Sequence, residues 1–578
     1  MKNLKFSEIL ELNLEIKDTL KSDSYKVSVL TNITIHQITE VLEYSLRVEG
    51  INADVQIGDY DNIIQNTIHH KHSDAVIIFW ELSNIIEGLH FKIELFNDKQ
   101  FNEILEKIKS EILLVLKNLK NTSLVLINKF TPMHWCISNI KKCNLEKLSE
   151  QLNQYLENNI TANTSLIDLN KVIASVGIEK SHDLRYYYSS KSLYTINFLK
   201  FYVDCIKPLI MTVNGKVKKV LIFDCDNTLW KGILGEDGFD GIEMSPKTKD
   251  GEIFFEIQSI VLALNMQGIL IGICSKNNPA DVEKVINSHP DMLLRSKYIT
   301  INKSNWLDKV TNLKEIVREL NVGLDSLVFI DDSPFEVNLI KEQLPEITVL
   351  QVPERLYEYP KLLRDNIGLF HGHSLTFEDK NKVRMYKQQK KRNSIKSEFF
   401  GIEDYIASLG LKMTIYVDDK SLIPRISQMT QKTNQFNLTT KRYTEGDIER
   451  FIRDRCSNVV AFSVSDKFGD SGITGLSIIT LYDGGRLAEL DTFLMSCRII
   501  GRNLEHAFIY CIIDFLKDNE VKVVQSQYIK TKKNEQVEEF YEGCSFNVVE
   551  QTDFVKNYCL NIDNYNQKQI DYIDIIYD

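Results

Sequence analysis

The stretch VLIFDCDNTLW, Val220 to Trp230, constrains this chain more than any other. Its apolar opening is continuous rather than alternating, which is the pattern of a strand buried on both faces of a parallel sheet. Two carboxylates, Asp224 and Asp226, follow at i and i+2, and then come Asn227 and Thr228. Open α/β sheets meet their ligands just outside the carboxyl ends of the strands, which is where this spacing puts both aspartates. A pair of carboxylates there can hold a hard cation while one of them attacks a phosphorus or carbonyl centre. The same letters would also suit a strand followed by an ordinary Asp/Asn turn, so residues further along must decide.

Three later stretches decide it. GILIGICSKN sets Ser275 at the end of a second apolar strand, NWLDKVTN sets Lys309 ahead of a helical pattern, and LVFIDDSPFE sets Asp331 and Asp332 at the end of a third strand. In order, spacing and strand-end placement, the four stretches resemble the motifs of the haloacid dehalogenase (HAD) superfamily of phosphotransferases. The resemblance implies Asp224 as the nucleophile that forms an acyl phosphate, and Asp226 as the acid and base that protonates the leaving oxygen and then activates water. Ser275 would hydrogen-bond a phosphoryl oxygen and Lys309 would neutralise its charge. A Mg²⁺ site would come from Asp224, the backbone carbonyl of Asp226, and Asp331 with Asp332 nearby. Cys225, between the two aspartates on an alternating strand, is expected to face the core. The Gly/Asp-rich KGILGEDGFDG after Trp230 has room for a hairpin flap but not for a lid domain. A mouth with so small a cap could admit a group carried on a protein.

At 578 residues the chain exceeds a single core, and a domain for every ~150 residues suggests three or four. With 43% apolar and 26% charged residues it is ordinary globular material. A formal charge of −11 and a pI near 5.6 argue against a nucleic-acid surface. The basic run KQQKKR at 387–392 reads as a solvated helix face. Ten cysteines without a C-x-x-C pair suggest a reducing, cytoplasmic setting. Met1–Ile16 lacks the apolar core of a signal peptide, and no run of ~18 apolar residues suggests a membrane span.

Residues 1–24 read as an amphipathic helix, followed by YKVSVL (25–30) as a strand, Thr34–Val48 as a helix, NADVQIG (52–58) and DAVIIFW (74–80) as strands, a long helix to about Asn121, and TSLVLINKF (122–130) as a strand. This alternation predicts a right-handed parallel sheet. It resembles the flavodoxin/SGNH-hydrolase-like N-terminal region of FkbH-type proteins, with Leu30-Thr31-Asn32 where those hydrolases carry a serine. His182 and Asp183 lack the usual Asp/His spacing, so this region reads as a non-catalytic docking or specificity module.

A charged helical stretch, EDKNKVRMYKQQKKR, lies within 360–402 and reads as a connector. Beyond it KMTIYV is a strand, SLIPRISQMTQKTNQFN a helix and polar loop, NVVAFSVSDKFGDSGITGLSIITLY a hairpin around Asp466–Gly472, and AELDTFLMSCRIIGRNLEHAFIYCIIDFL a strand, tight turn and helix. The turn Arg498 to Asn503, which includes Gly501 and Arg502, resembles the pyrophosphate loop of GNAT-fold acyltransferases. In that fold, backbone N–H groups at a helix start cradle a pantetheine pyrophosphate. Asn503 stands where a small residue is usual. Asn534 to Phe546 resembles the closing helix of the same fold. It offers Tyr541 either as a thiolate-protonating acid or as a core aromatic. Cys497, beside Arg498 and the expected helix start, reads either as an ionisable acyl-carrying nucleophile or as a small buried hydrophobe.

Taken together, DCDNTLWKGILGEDG, FIDDSPFE, KTNQFNLTT, ELDTFLMSCRIIGR and TKKN resemble the FkbH-like family of the HAD superfamily. The implied architecture is multidomain α/β. It has an SGNH-like region at 1–210, a HAD-like Rossmannoid core with a minimal cap at 216–359, a helical connector at 360–402 and a GNAT-like region at 403–578. The family implies a Mg²⁺-dependent phosphatase and glyceryl (acyl) transferase. Such an enzyme takes a phosphorylated acyl substrate such as 1,3-bisphosphoglycerate and loads the acyl group, as a thioester, onto the phosphopantetheine of an acyl carrier protein. Acyl-CoA is the other cofactor such a loop could take. The alternative is a Mg²⁺ phosphatase for a sugar or acyl phosphate in glycan or polyketide assembly, with a separate GNAT-type acyl transfer.

Overall fold

Five apolar runs near the N-terminus become strands β1 Tyr25–Thr31, β2 Ala53–Ile57, β3 Ala75–Phe79, β4 Leu124–Asn128 and β5 Thr164–Ile167. The computed structural model describes residues 1, 4–20, 23–136, 141–370, 385, 386, 388, 392, 402–531, 533–565 and 570–578. These first strands form an all-parallel sheet in the order β2-β1-β3-β4-β5. β3 and β4 are buried along their whole length, as expected where helices cover both faces. The helix expected over Thr34–Val48 runs from Ile38 to Arg47, because Thr34 is tied instead to Lys191 and Ser190. With the short segment Tyr443–Asp447, residues Met1–Asn214 form one compact unit.

The second unit, Gly215–Arg442 with Ile448–Asp578, carries two sheets. The first is built from β6 Val220–Phe223, β7 Leu270–Ser275, β8 Ile299–Ser304, β9 Leu327–Asp331 and β10 Thr348–Gln351, all parallel, in the order β10-β9-β6-β7-β8. β6 is central and its four residues are fully buried, each contributing about 1.5–3 kcal/mol of apolar burial. The strands that end in Ser275 and Asp331 flank it, so the strand-end groups read from the sequence gather along one sheet edge.

The second sheet of this unit is mixed. It runs through β11 Leu411–Val417, β12 Ser457–Asp466, β13 Gly469–Tyr482, β14 Leu487–Met495, β15 Val523–Ile529, β16 Asn547–Gln551, β17 Val555–Asn561 and β18 Ile573–Tyr577, in the order β16-β17-β15-β14-β13-β12-β11-β18. β14 and β15 are parallel, joined by the helix Leu504–Asp518. The β12–β13 hairpin turns at Lys467-Phe468, because the Asp466 carboxylate accepts the backbone N–H groups of Phe468 and Gly469.

Three expectations need correcting here. The segment after Trp230 is not a hairpin. Lys231 and Glu243 exchange one antiparallel pair of backbone bonds, and these clasp a short helix, Leu234–Gly241, kinked at Gly238. The closing helix expected at Asn534–Phe546 is only a 3₁₀ turn, Glu535–Val537, and one helical turn, Phe540–Gly543. Most of EDKNKVRMYKQQKKR lies outside the described residues, but Arg392 does not belong to a solvated face. It is 2% exposed and binds Asp466 with two parallel bonds of 2.6 and 2.8 Å.

Candidate active site

Asp224 is the first residue beyond β6, and its N–H donates to Ile330 O of β9 at 2.9 Å, holding the chain against its neighbour as it leaves the sheet. Asp331 and Ser275 end β9 and β7. Lys309 opens the helix Lys309–Leu320, whose N-cap, Asp308, accepts the Thr311 N–H at 2.8 Å and fixes where that helix begins. These positions bring four distant stretches together. Lys309 Nζ stands 3.1 Å from Asp224 Oδ1 and 2.6 Å from Asp331 Oδ2, and all three side chains are buried. The Ser275 hydroxyl lies against the Asp224 carboxylate.

Asp224, Asp331 and Asp332 each present an oxygen, all within 4.8 Å of one another. With all three carboxylates ionised, one ammonium leaves this largely buried cluster two negative charges, and its donors are hard oxygens. That composition fits Mg²⁺, which takes few carboxylates and keeps its waters. Burial pushes the Asp224 carboxyl up to about 7; Lys309 pulls it back and Asp331 raises it further. Asp332 is also raised, first by burial and then by Asp331. Burial alone would pull the Lys309 ammonium down, but Asp224 and Asp331 outweigh it and hold it above its ordinary value.

The Asp226 side chain is not in the carboxylate cluster. Its Oδ1 accepts Trp230 Nε1 and Leu234 N, both at 3.0 Å, and its Oδ2 accepts Asn277 Nδ2 at 2.9 Å. A carboxylate oxygen has two lone pairs, so Oδ1 is filled and Oδ2 keeps one position for a moving proton. The flap supplies part of this grip. Asn227 takes a left-handed turn (φ 50°) and accepts the Gly232 N–H at 3.0 Å, which folds Leu234 back onto Asp226. Gly232 itself has φ 98°, and a Cβ there would meet Asp237 Oδ2 at 2.7 Å. Asn277 was missed from the sequence; its only signal was its place two residues past Ser275 in SKN. At the same strand edge Lys276 pairs with Glu336 at 2.6 Å. Trp306, in the loop before Lys309, and Phe335, just past Asp332, are 74% and 70% exposed. Cys225 faces the core.

The C-terminal candidates are scattered. The helix after β14 starts at Leu504, with Asn503 left-handed (φ 60°) as its N-cap, while Cys497 opens a separate 3₁₀ turn, Cys497–Ile499. Helix-end stabilisation falls off within a turn, so the helix-start argument for Cys497 does not hold. Arg502 is buried, its guanidinium 3.7 Å from Asp466 and donating to Arg498 O at 2.9 Å, so it does not face a ligand loop. The Asn503 amide donates to the Tyr572 hydroxyl, and Gly501 takes φ 81° on an open turn. Asn534 is buried and pins its own loop. Its oxygen accepts from Thr531 N, Thr531 Oγ1 and the Tyr528 hydroxyl, and its amide donates to Asn437 O and Ile529 O. Tyr541 is a core aromatic packed against Phe546 and Tyr558, and burial raises its hydroxyl far above the ordinary value. Cys497 and Arg498 remain accessible, lining a cavity of about 300 Å³.

In the first unit, the ends of β1 and β3 flank the crevice where the strand order reverses, the usual ligand position for such a sheet. Here Asn32 and Glu81 fill it with reciprocal bonds of 2.7 and 2.9 Å. His182 lies against His134 with ring centres 4.4 Å apart and planes tilted by 41°, and Asp183 pairs with Arg185 rather than with either histidine. Burial, then the neighbouring His182, pushes His134 down to about 4.

No protein-family model and no curated protein matches this sequence. Among solved structures, the chain is similar to the N-terminal part of a Bacteroides fragilis protein that contains a phosphatase domain and was solved in complex with Mg. The match has 26% identity and a TM-score of 0.55, and it covers 64% of this chain and 100% of that one. A spermidine/spermine N-acetyltransferase from Vibrio cholerae matches at 15% identity and a TM-score of 0.22, over 26% of this chain and 95% of that one. The ribosomal-protein-S18-alanine N-acetyltransferase from Escherichia coli matches at 15% identity and a TM-score of 0.21, over 27% and 99%. At those scores neither acetyltransferase bears on what this chain does. The chain is a multidomain α/β protein with two parallel sheets and one mixed sheet, similar in fold to that phosphatase-containing structure, and among its described residues no helix is long and apolar enough to cross a membrane.

Proposed function

We propose that the β6 edge is a Mg²⁺-dependent phosphoryl-transfer site of an FkbH-like phosphatase and glyceryl (acyl) transferase. The observation that carries this is one buried ammonium, Lys309, shared by Asp224 and Asp331, with Asp332 completing an oxygen-only cluster. The similarity to a phosphatase-containing structure solved with Mg supports the choice of metal. Asp224, Asp331 and Asp332 would hold the ion, which supplies charge neutralisation to the phosphoryl oxygens. An Asp224 oxygen attacks phosphorus, forming an aspartyl phosphate as the bond to the leaving oxygen breaks. Asp226 gives that oxygen the proton held at Oδ2, then takes one back from the water that cleaves the aspartyl phosphate. Lys309 and Ser275 hold the phosphoryl oxygens throughout.

The finer reading is that Asp224 removes the ester phosphate of a phosphorylated acyl substrate such as 1,3-bisphosphoglycerate, while the Cys497 sulfur bonds to the carbonyl carbon of its acyl phosphate, inorganic phosphate leaves with the electron pair and the thiol's proton, and the acyl group then passes to the phosphopantetheine thiol of an acyl carrier protein. The short flap and the exposed Trp306 and Phe335 support access by a protein-borne group. The accessible Cys497 supports a thioester relay. Incubation with 1,3-bisphosphoglycerate, Mg²⁺ and a phosphopantetheinylated carrier should release phosphate and add the glyceryl mass to the carrier. Cys497→Ser should abolish that mass increase. Full carrier loading by Cys497→Ser, with no acyl adduct on the native enzyme, would remove the thioester relay. Phosphate release that survives Asp224→Asn would remove the phosphatase reading.

A further inference from the structure

The cavity that Cys497 lines lies at the entry edge of the β6–β10 sheet, the opposite edge from Asp224. Lys219, the residue before β6, and Asp325, just before β9, form one wall. Arg425 and Lys432 come from the helix Ile423–Lys432, Lys533 from the loop after β15, and Arg498 from the turn after β14. Five cations therefore face a single carboxylate, which Lys533 pairs with. Lys219 Nζ spends its bond on a neutral carbonyl, Lys432 O, at 2.6 Å, and Arg498 Nε donates to Ser496 Oγ at 3.2 Å. Asn321 Nδ2 donates to Cys497 O at 2.6 Å, pinning the thiol's turn to this wall, and the Tyr386 hydroxyl reaches the thiol itself. Burial pulls the Lys219 ammonium down, while Cys497 and then Asp325 pull it back.

A partly exposed thiol inside so strongly cationic a wall calls for an anionic partner. We infer that this cavity is a phosphate pocket that seats a phosphate-bearing group with its reacting end at Cys497, and that Lys219 is the cation facing the thiol. The inference rests on the reading of Cys497 as the acyl-exchange residue. About 300 Å³ suits a phosphate with a short chain, at the small end of ligand sites. The phosphate could belong to a carrier's phosphopantetheine arm or to a small acyl phosphate. In the second case the thiol sulfur bonds to the carbonyl carbon and the carbon–oxygen bond to phosphate breaks. Inorganic phosphate then leaves with the electron pair and the thiol's proton.

The test uses the full-length protein and peptide-resolved mass spectrometry. Alkylation by anionic iodoacetate is compared with alkylation by neutral iodoacetamide, with the exposed Cys205 and Cys456 as internal references. The iodoacetate preference at Cys497 should exceed that of the references by about fivefold or more, and millimolar inorganic phosphate should suppress it. Lys219→Met should lower the preference and Lys219→Arg should keep it; Lys533→Met serves if Lys219→Met does not fold. Acetyl phosphate that leaves an acetyl group on Cys497 assigns the pocket to small acyl phosphates. Protection by phosphopantetheine without a mass change assigns it to the carrier arm. A preference equal to that of the references, or alkylation that none of the phosphates slows, overturns the pocket. The readout needs no turnover, so it fails or succeeds separately from phosphate release at Asp224.

Discussion

Lys219 and Asp224 stand at opposite ends of the same four-residue strand, β6, separated by about 16 Å of extended chain. The thiol cavity and the carboxylate cluster therefore open at opposite edges of one sheet. A group that visits both must either leave the protein between visits or travel on a carrier's arm.

Replacing Asp224 with Asn keeps the shape but removes the anionic nucleophile and one metal ligand. Phosphate release from a small phosphate ester should fall by at least about a thousandfold, with the far-ultraviolet circular dichroism spectrum unchanged. Initial rates with saturating Mg²⁺ measure this directly.

Lys309→Met leaves the buried Asp224 and Asp331 without their shared cation. An uncompensated buried charge costs about 3–5 kcal/mol, so the metal-free variant should melt well below the native protein. Added Mg²⁺ should raise the melting temperature of the variant more than that of the native chain. Equal shifts in parallel thermal melts would argue against a shared ion and ammonium site.

Burial, only partly offset by Lys309, pushes the folded Asp224 carboxyl up to about 7 from an ordinary 3.8. The folded state therefore holds this proton more tightly than the unfolded state. The contribution of Asp224 to metal-free stability should fall as pH rises between those values. Mg²⁺ must displace the same proton, so its affinity should rise with pH up to about 7 and then level off. Calorimetric titrations with Mg²⁺ across that range would reveal an affinity independent of pH if the assignment is wrong.

Trp230→Phe keeps a buried ring but deletes one of the two donors to Asp226 Oδ1. With that oxygen underfilled, the carboxylate can turn and the proton is no longer confined to Oδ2. A tenfold to hundredfold loss of kcat, with KM little changed, is the rough size for a lost orienting bond. A change confined to KM would mean that Trp230 serves substrate binding instead.

His182→Ala should leave both phosphate release and any hydrolysis of small esters untouched. Its ring rests on His134, and the crevice of the first sheet is filled by Asn32 and Glu81. Esterase turnover that vanishes with this substitution would make the first unit an enzyme in its own right.

The sequence alone determined the central strands and which residues stand at their ends. Short continuous apolar runs such as Val220–Phe223, bounded by turn residues, suit central parallel strands, and a strand of known direction fixes which of its ends carries Asp224, Ser275 and Asp331. Local signals also placed Lys309 at a helix start, where Asp308 caps it. Tertiary structure decided whatever depended on partners far away in the chain. Asp226 is aimed by Asn277 and by a flap that the sequence suggested would be a hairpin. Arg392 and Arg502, which looked like solvent or ligand groups, are drawn into the Asp466 carboxylate, because a buried charge must be paired. Asn534 and Tyr541 matched a motif by spacing, yet the fold uses one as a loop pin and the other as core. The cationic wall around Cys497 left no local trace, since Lys219, Arg425, Lys432, Arg498 and Lys533 come from four separate stretches that meet only when the two sheets of the second unit pack. Spacing along the chain encodes periodicity and direction, whereas a pocket is a coincidence of surfaces, and only folding creates it.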